Sequence, residues 1–437
     1  MRRNRLFVSF VCCCAPLLLF ADVCLGQKPL FGIDFQGPTF GMLDPAGVPI
    51  FAAEVLSPAL GVPMPGPLPP PMVVVPGGPM GIGLGIRTWP QLGEVDAISY
   101  GNDMRVGWWH FSVDEFAAGL PGPKPDVASE GMAGNREASA DVFSGNRVFM
   151  HPLVPLPLPG VIGTNLDLLD GNGLPPMGLL GKGLGLIEPN PPTMGPPDLG
   201  DNLDALEIDP IQLPIVPRVF FSLDARFLDP LEPPRANSGS AAANGFVGGD
   251  VLVSVPGGPP ALYVPAVVLG LDRIQGPDSD DLDALMLQDN GDGIYNPMQD
   301  FIAFSVRRAS VVIGAPDSVY GAPIAEADIL IPPVAGGVSP FPGILVPGEA
   351  LGLRTPRVGM PPSEFWDDLD ALDLYRYPGD CNGDGRVNVF DLQIMGATWN
   401  KSAGMPGYDP RADFTGDNRV NVFDLQVMGA NWNTQMF

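Results

Sequence analysis

The fold class this sequence predicts is mainly β: four repeats of about four short strands, arranged as a four-bladed β-propeller or as a packed β-sandwich, followed by a small loop-helix module. Three observations predict it. The phrase Leu-Asp-Ala-Leu stands at 203–206, 282–285 and 369–372, with Val95-Asp96-Ala97-Ile98 as a fourth version. Val, Ile, Leu and Phe are gathered into short runs between Pro-Gly clusters, as strands joined by long loops are. Near the C-terminus two acidic twelve-residue loops stand in tandem, each leading into an apolar run. With 56 Gly and 54 Pro in 437 residues the chain nears the composition of disordered segments, but a 45% hydrophobic content supplies a core.

The chain opens with Arg2, Arg3 and Arg5 before an apolar run from Leu6 to Phe20, and small residues Cys24 and Gly26 precede Gln27. This pattern predicts an export signal over 1–26 and a secreted or surface location. Cleavage would leave Cys381 as the one cysteine, so stability has to come from a core and from bound metal rather than from an internal disulfide. No other run predicts a membrane span. A net charge of −26 makes nucleic acid and anionic membranes poor partners.

The repeat domain is expected over 29–375, in units of about 29–100, 106–208, 217–288 and 300–375. Each unit opens with a Phe-Ser phrase (Phe111-Ser112, Phe221-Ser222, Phe304-Ser305, with Phe31-Gly32 in the matching place). An acidic phrase follows, around Glu54, Asp141, Asp250 or Asp328. Then come a Leu-Gly-Leu type phrase (84–86, 184–186, 269–271, 351–353) and the Leu-Asp-Ala-Leu phrase. All four are read as strands. Such short apolar phrases cannot bury both faces alone and must stack or close radially. The phase of the repeat adds an expectation: the strand at 369–372 should close the ring by pairing with 31–35.

The repeated Asp96, Asp204, Asp283 and Asp370 either ring a channel and bind a metal or accept backbone N–H groups at strand ends. Asp289-Asn290-Gly291-Asp292-Gly293 is a candidate third calcium loop or a plain Asn-Gly turn. Trp108, Trp109, His110 and His151 lie near long Pro-Gly insertions, where sugar contact is conceivable.

The tail, 376–437, carries Asp380-Cys381-Asn382-Gly383-Asp384-Gly385-Arg386-Val387-Asn388-Val389-Phe390-Asp391 and its near copy from Asp413 to Asp424. A hard cation takes six to eight oxygens, which a twelve-residue loop supplies from positions 1, 3, 5, 7, 9 and 12. The expected Ca²⁺ ligands are Asp380, Asn382, Asp384, the Arg386 carbonyl, Asn388 and Asp391 in the first loop. In the second they are Asp413, Thr415, Asp417, the Arg419 carbonyl, Asn421 and Asp424. Position 12 is Asp rather than Glu, and no helix former precedes either loop. This tandem loop-then-helix pattern resembles the type I dockerin module, which implies Ca²⁺ at two sites and docking into a cohesin-like or other surface protein. Where the family carries small polar residues at loop positions 10 and 11, this chain has Val389, Phe390, Val422 and Phe423. These either read an apolar partner or pack inside the module.

Two functions are open. A dockerin travels with polysaccharide-degrading enzymes, which implies a glycoside hydrolase or lyase acting on O-glycosyl bonds, needing a carboxylate pair. Glu94, Asp103, Asp114 and Glu115 are the acids near the tryptophans, and none sits in a motif; no catalytic triad or catalytic zinc cluster is recognisable either. The preferred reading is a non-catalytic, calcium-binding repeat scaffold held to a surface or matrix partner by its tail, because the repeated chemistry is spread evenly over four units.

Overall fold

The computed structural model describes residues 28–433 apart from 60–67, 76–83, 87–93, 100–108, 115–116, 118, 121–123, 132–136, 146–164, 175–177, 179, 189–200, 209–217, 225–238, 290–291, 298–299, 359–364, 376–378, 382–386, 403–404 and 416–418. The export signal, Asp103, Trp108, Glu115 and His151, and the loop residues Asn382, Asp384, Arg386 and Asp417, lie outside the described residues.

Four antiparallel sheets of four strands form a four-bladed β-propeller, not a sandwich. The first contains β1 (Lys28–Gly32), β2 (Val55–Ser57) and β3 (Met72–Val75). The second runs β4 (Ala97–Ser99), β5 (Trp109–Ser112), β6 (Val142–Gly145) and β7 (Asn165–Leu169). The third is β8 (Ala205–Ile208), β9 (Val219–Ser222), β10 (Val251–Ser254) and β11 (Ala261–Val264). The fourth is β12 (Leu282–Gln288), β13 (Phe301–Val306), β14 (Ile329–Ile331) and β15 (Gly343–Val346). The last strand, β16 (Ala371–Tyr375), returns to the first sheet, whose order is β16-β1-β2-β3. Its register pairs Lys28 with Tyr375, Phe31 with Leu372 and Gly32 with Ala371. The ring closes as the repeat phase predicts.

The Asp-Ala phrases open β4, β8, β12 and β16, which pack against one another around the central axis. Each Phe-Ser strand pairs beside one of them: Phe111 with Ile98, Phe221 with Leu206, Phe304 with Leu285. The openers Phe31, Phe111, Phe221 and Phe304 are fully buried. Each contributes roughly 1.5–3 kcal/mol of transfer free energy. The four propeller cores lie between adjacent blades, with Phe143 and Ile86 between the first and second and Leu271 and Phe220 between the third and fourth. Serine hooks bind blade to blade: Ser112 Oγ donates to the Leu203 carbonyl at 2.8 Å, Ser222 Oγ to that of Leu282 at 3.5 Å and Ser305 Oγ to that of Leu369 at 2.6 Å. Gly32 replaces serine at the remaining junction, where a Cβ would stand 3.2 Å from the Val95 carbonyl.

The structure corrects one phrase. Leu-Gly-Leu is not a strand: Gly85, Gly185, Gly270 and Gly352 have φ of 76°, 77°, 89° and 92°, a left-handed conformation that suits glycine, and Gly270 and Gly352 end short helical turns. The flanking aliphatics, such as Leu269 and Leu271, turn into the core while the glycine abuts the next blade. A Cβ on Gly352 would stand 2.5 Å from the Pro69 carbonyl, and one on Gly270 2.9 Å from Pro342 N. The fourth strand of each blade is instead β3, β7, β11 or β15, the outer edge, which carries no repeated phrase.

The tail forms two helices, α1 (Val389–Ala397) and α2 (Val422–Ala430), each following its loop. Val387, Met395, Val420 and Met428 are fully buried between the two halves, with Cys381 and Phe414 beside them. A 3-10 turn, Pro410–Ala412, precedes the second loop where coil is expected. No helix among the described residues is long and apolar enough to cross a membrane.

Candidate functional site

In the second tail loop, positions 1, 3 and 12 come together. Thr415 Oγ1 donates to Asp424 Oδ1 at 2.9 Å and to Asp413 Oδ1 at 3.5 Å, and Tyr408 holds Asp413 Oδ2 at 2.8 Å. Oxygens about 3 Å apart suit ligands 2.3–2.6 Å from one Ca²⁺. Asp424 also closes the helix start, taking the Asn421 N–H at 2.7 Å; Asp391 takes the Asn388 N–H at 2.8 Å. Asp380 and Asp391 are buried at the two ends of the first loop. The donor set fits a hard cation. Asn388 Oδ1 and Asn421 Oδ1, at position 9 of each loop, also accept the Phe390 and Phe423 N–H groups as helix caps.

Val389, Phe390, Val422 and Phe423 are not packed inside the module. They are 52%, 59%, 51% and 57% exposed, with Leu392 and Leu425 exposed one turn further on.

Asp289 stands in a turn supplied with protein donors. Its oxygens take the Gly293 N–H at 2.9 Å and the Tyr263 hydroxyl at 3.0 Å, and Arg218 lies 3.5 Å away. Asp292 caps the Ile294 N–H. These donors leave a braced turn. Asn290 and Gly291 lie outside the described residues.

The acids of the second phrase hold strand ends. Asp250 accepts from Val247 N and Ala266 N, Asp328 from Ala325 N and Gly348 N, Asp141 from Gly171 N and Glu54 from Phe51 N. The Asp-Ala aspartates stand at the leading ends of the inner strands, where burial first, and nearby carboxylates second, raise the pKa values of Asp204, Asp283 and Asp370. Two neighbouring layers repeat with the blades. Two residues before each stands Glu94, Asn202, Asp281 or Asp368; three residues after the opening Phe stands Asp34, Asp114, Asp224 or Arg307. Burial, reinforced by the neighbouring carboxylates, holds Glu94, Asp204, Asp281, Asp283 and Asp370 well above the carboxylate range. Arg307 answers one group of three, lying 3.9 Å from Asp204, 3.0 Å from Asp224 and 3.8 Å from Asp281. Of the acids weighed for hydrolysis, Glu94 and Asp114 belong to these layers. Trp109 starts β5 opposite Gly145.

A further acid group was not singled out from the sequence. Asp141, Asp170 and Glu188 gather on the second blade, around the turn Asp170-Gly171-Asn172-Gly173. Burial, with help from Asp141 and Asp170, pushes Asp167 up to about 10 and Glu188 to about 11, and burial lifts Glu54 to about 8. Burial lowers His110 to about 4. A carboxyl raised in the fold stabilises it fully below the unfolded value, and that contribution is lost as pH rises through the folded value. His110, lowered, works the other way and matters only below its unfolded value near 6.5. In chelator, the propeller's melting temperature should therefore rise by several degrees from pH 9 to pH 6.5. A melting curve flat across that window would show that these carboxyls stay ionised in the fold.

No curated protein matches this chain, and no solved structure does. Residues 378–431 match the family described as the dockerin type I domain, and no family is found for the remainder. The C-terminal module whose loops and helices are described above is a type I dockerin domain.

Proposed function

We propose that this is an exported, non-catalytic propeller scaffold, anchored through its calcium-loaded dockerin to a cohesin-like surface protein whose contact face is apolar. The observation that supports the reading is the exposure of Val389, Phe390, Val422 and Phe423 in the free chain. An apolar patch standing out on a small module suits a partner that covers it. The patch is duplicated, once on each helix start, so either copy can meet the partner. Aromatic residues central to an interface commonly carry about 2 kcal/mol or more each. The even distribution of the propeller's repeated groups supports a structural rather than a catalytic role.

Titrating the full chain, in calcium, against a panel of cohesin modules and against the cell's own surface proteins tests this. Phe390→Asp or Phe423→Asp alone should weaken binding only a few-fold, and the two together by about 30-fold or more. Unchanged binding by the folded double variant would remove the patch from the interface. Release of reducing sugar from a polysaccharide by the purified chain would replace the scaffold reading with the hydrolase one.

A further inference from the structure

We propose that Asp283, Asp368 and Asp370, at the leading ends of the inner strands, form a binding site for a calcium-sized divalent cation, separate from the dockerin loops. Asp283 stands near the start of β12, while Asp368 and Asp370 lead into β16, so the closing strand and its neighbour bring the three together. One oxygen from each lies within 4.8 Å of the other two. The residues are 8%, 2% and 7% exposed. Each also carries an oxygen with no hydrogen-bond partner: Asp283 Oδ2, Asp368 Oδ1 and Asp370 Oδ2.

The sister group of Asp204, Asp224 and Asp281 shows what such a cluster needs, since Arg307 places its guanidinium within 4.0 Å of all three. In the Asp283 group Arg308 comes within 3.7 Å of Asp368, but its Nη1 is bound to Asp34. Among the described residues neither Asp283 nor Asp370 has an ion pair. The charge of Arg307 reaches Asp283 and that of Arg308 reaches Asp370, but these two guanidiniums are shared with Asp224 and Asp34 and do not offset three buried carboxylates that repel one another. A bound dication satisfies the vacant oxygens and the charge together.

The chemistry selects the ion. All donors are carboxylate oxygens, which favours a hard cation over zinc or copper. Carboxylate oxygens that lie within 4.8 Å of one another can share one ion at the bond lengths of about 2.3–2.6 Å that calcium takes.

The test counts calcium on the full mature chain by equilibrium dialysis with metal analysis at pH 7.5. Asp384→Ala with Asp417→Ala disables the dockerin loops; that variant should still retain about one calcium per chain, and calcium should raise the propeller's melting temperature. Adding Asp283→Asn and Asp370→Asn should abolish the retained ion and the melting shift. If the combined variant does not fold, Asp283→Asn alone should weaken the retained site at least tenfold. The proposal is overturned if the folded dockerin-loop variant takes up no calcium at millimolar concentration, since the carboxyls then hold protons. Uptake that is unaltered by Asp283→Asn overturns it equally.

Discussion

Removing residues 369–437 should abolish cooperative folding of the propeller, whereas removing 379–437 should leave its melting temperature within a few degrees of the full chain. The shorter truncation keeps β16, and the longer one takes away the strand that completes the first blade. Leu369, Ala371 and Leu372 are buried, and five residue pairs join β16 to β1. Each large apolar side chain is worth roughly 1.5–3 kcal/mol and each hydrogen bond about 1 kcal/mol, against a total stability of about 5–15 kcal/mol. The loss also exposes β1 as an open inner edge and takes Leu369 from the Ser305 hook. Circular dichroism melts of the two truncations decide it. A cooperative melt of the longer truncation near the full chain's temperature would mean that closure carries little of the stability.

Chelation should melt the dockerin helices while leaving the β signal of the propeller largely in place. The loops hold Asp413 and Asp424 near one another with only a threonine hydroxyl between them. Without a cation the acids of each loop repel, and α1 and α2, nine residues each, are too short to persist alone. Calcium at a thousandfold excess over its dissociation constant contributes about 4 kcal/mol. Asp384→Ala, which removes a charged ligand of the first loop, should weaken binding more than Thr415→Ala, which removes a neutral one. Calorimetry and helical ellipticity of the full chain, with and without chelator, measure both. An absence of calcium heat from these loops would refute two-site binding in the tail.

The repeat was readable because its phrases do the same physical task in every blade. Phe31, Phe111, Phe221 and Phe304 fill equivalent buried places, so selection of residue type shows through the sequence. The outer strands were not readable. Met72–Val75 and Ala261–Val264 lie at the blade edge, where part of each faces solvent and several residues serve equally well. Leu-Gly-Leu misled because its leucines are as buried as strand residues while the positive φ of the glycine leaves no mark in apolarity. The aspartate ring was visible as a repeated letter. What it does depends on where four distant strand ends converge, and on Arg307 standing where three blades have aspartate. That information lies in the closed ring and in no single unit. The tail was the most legible part, since each loop and the helix that follows it are written in one short stretch. Only the double use of Asn388 and Asn421 as caps needed coordinates.

The ring's seam is also the strand from which the chain leaves for the dockerin. The chain leaves the propeller from the Tyr375 end of β16, and the dockerin follows within a few residues. Any tension between an anchored dockerin and the propeller therefore enters through the closing strand. That strand has a sheet neighbour on one side only, β1, and the pair nearest the load is Lys28 with Tyr375. A pull away from the sheet peels the pairs one after another instead of shearing all five at once. Load on a dockerin held by a partner would be felt first at Lys28 and Tyr375 and reach Phe31 and Leu372 only later, so the seam and not the bulk of the propeller would set the strength of the hold.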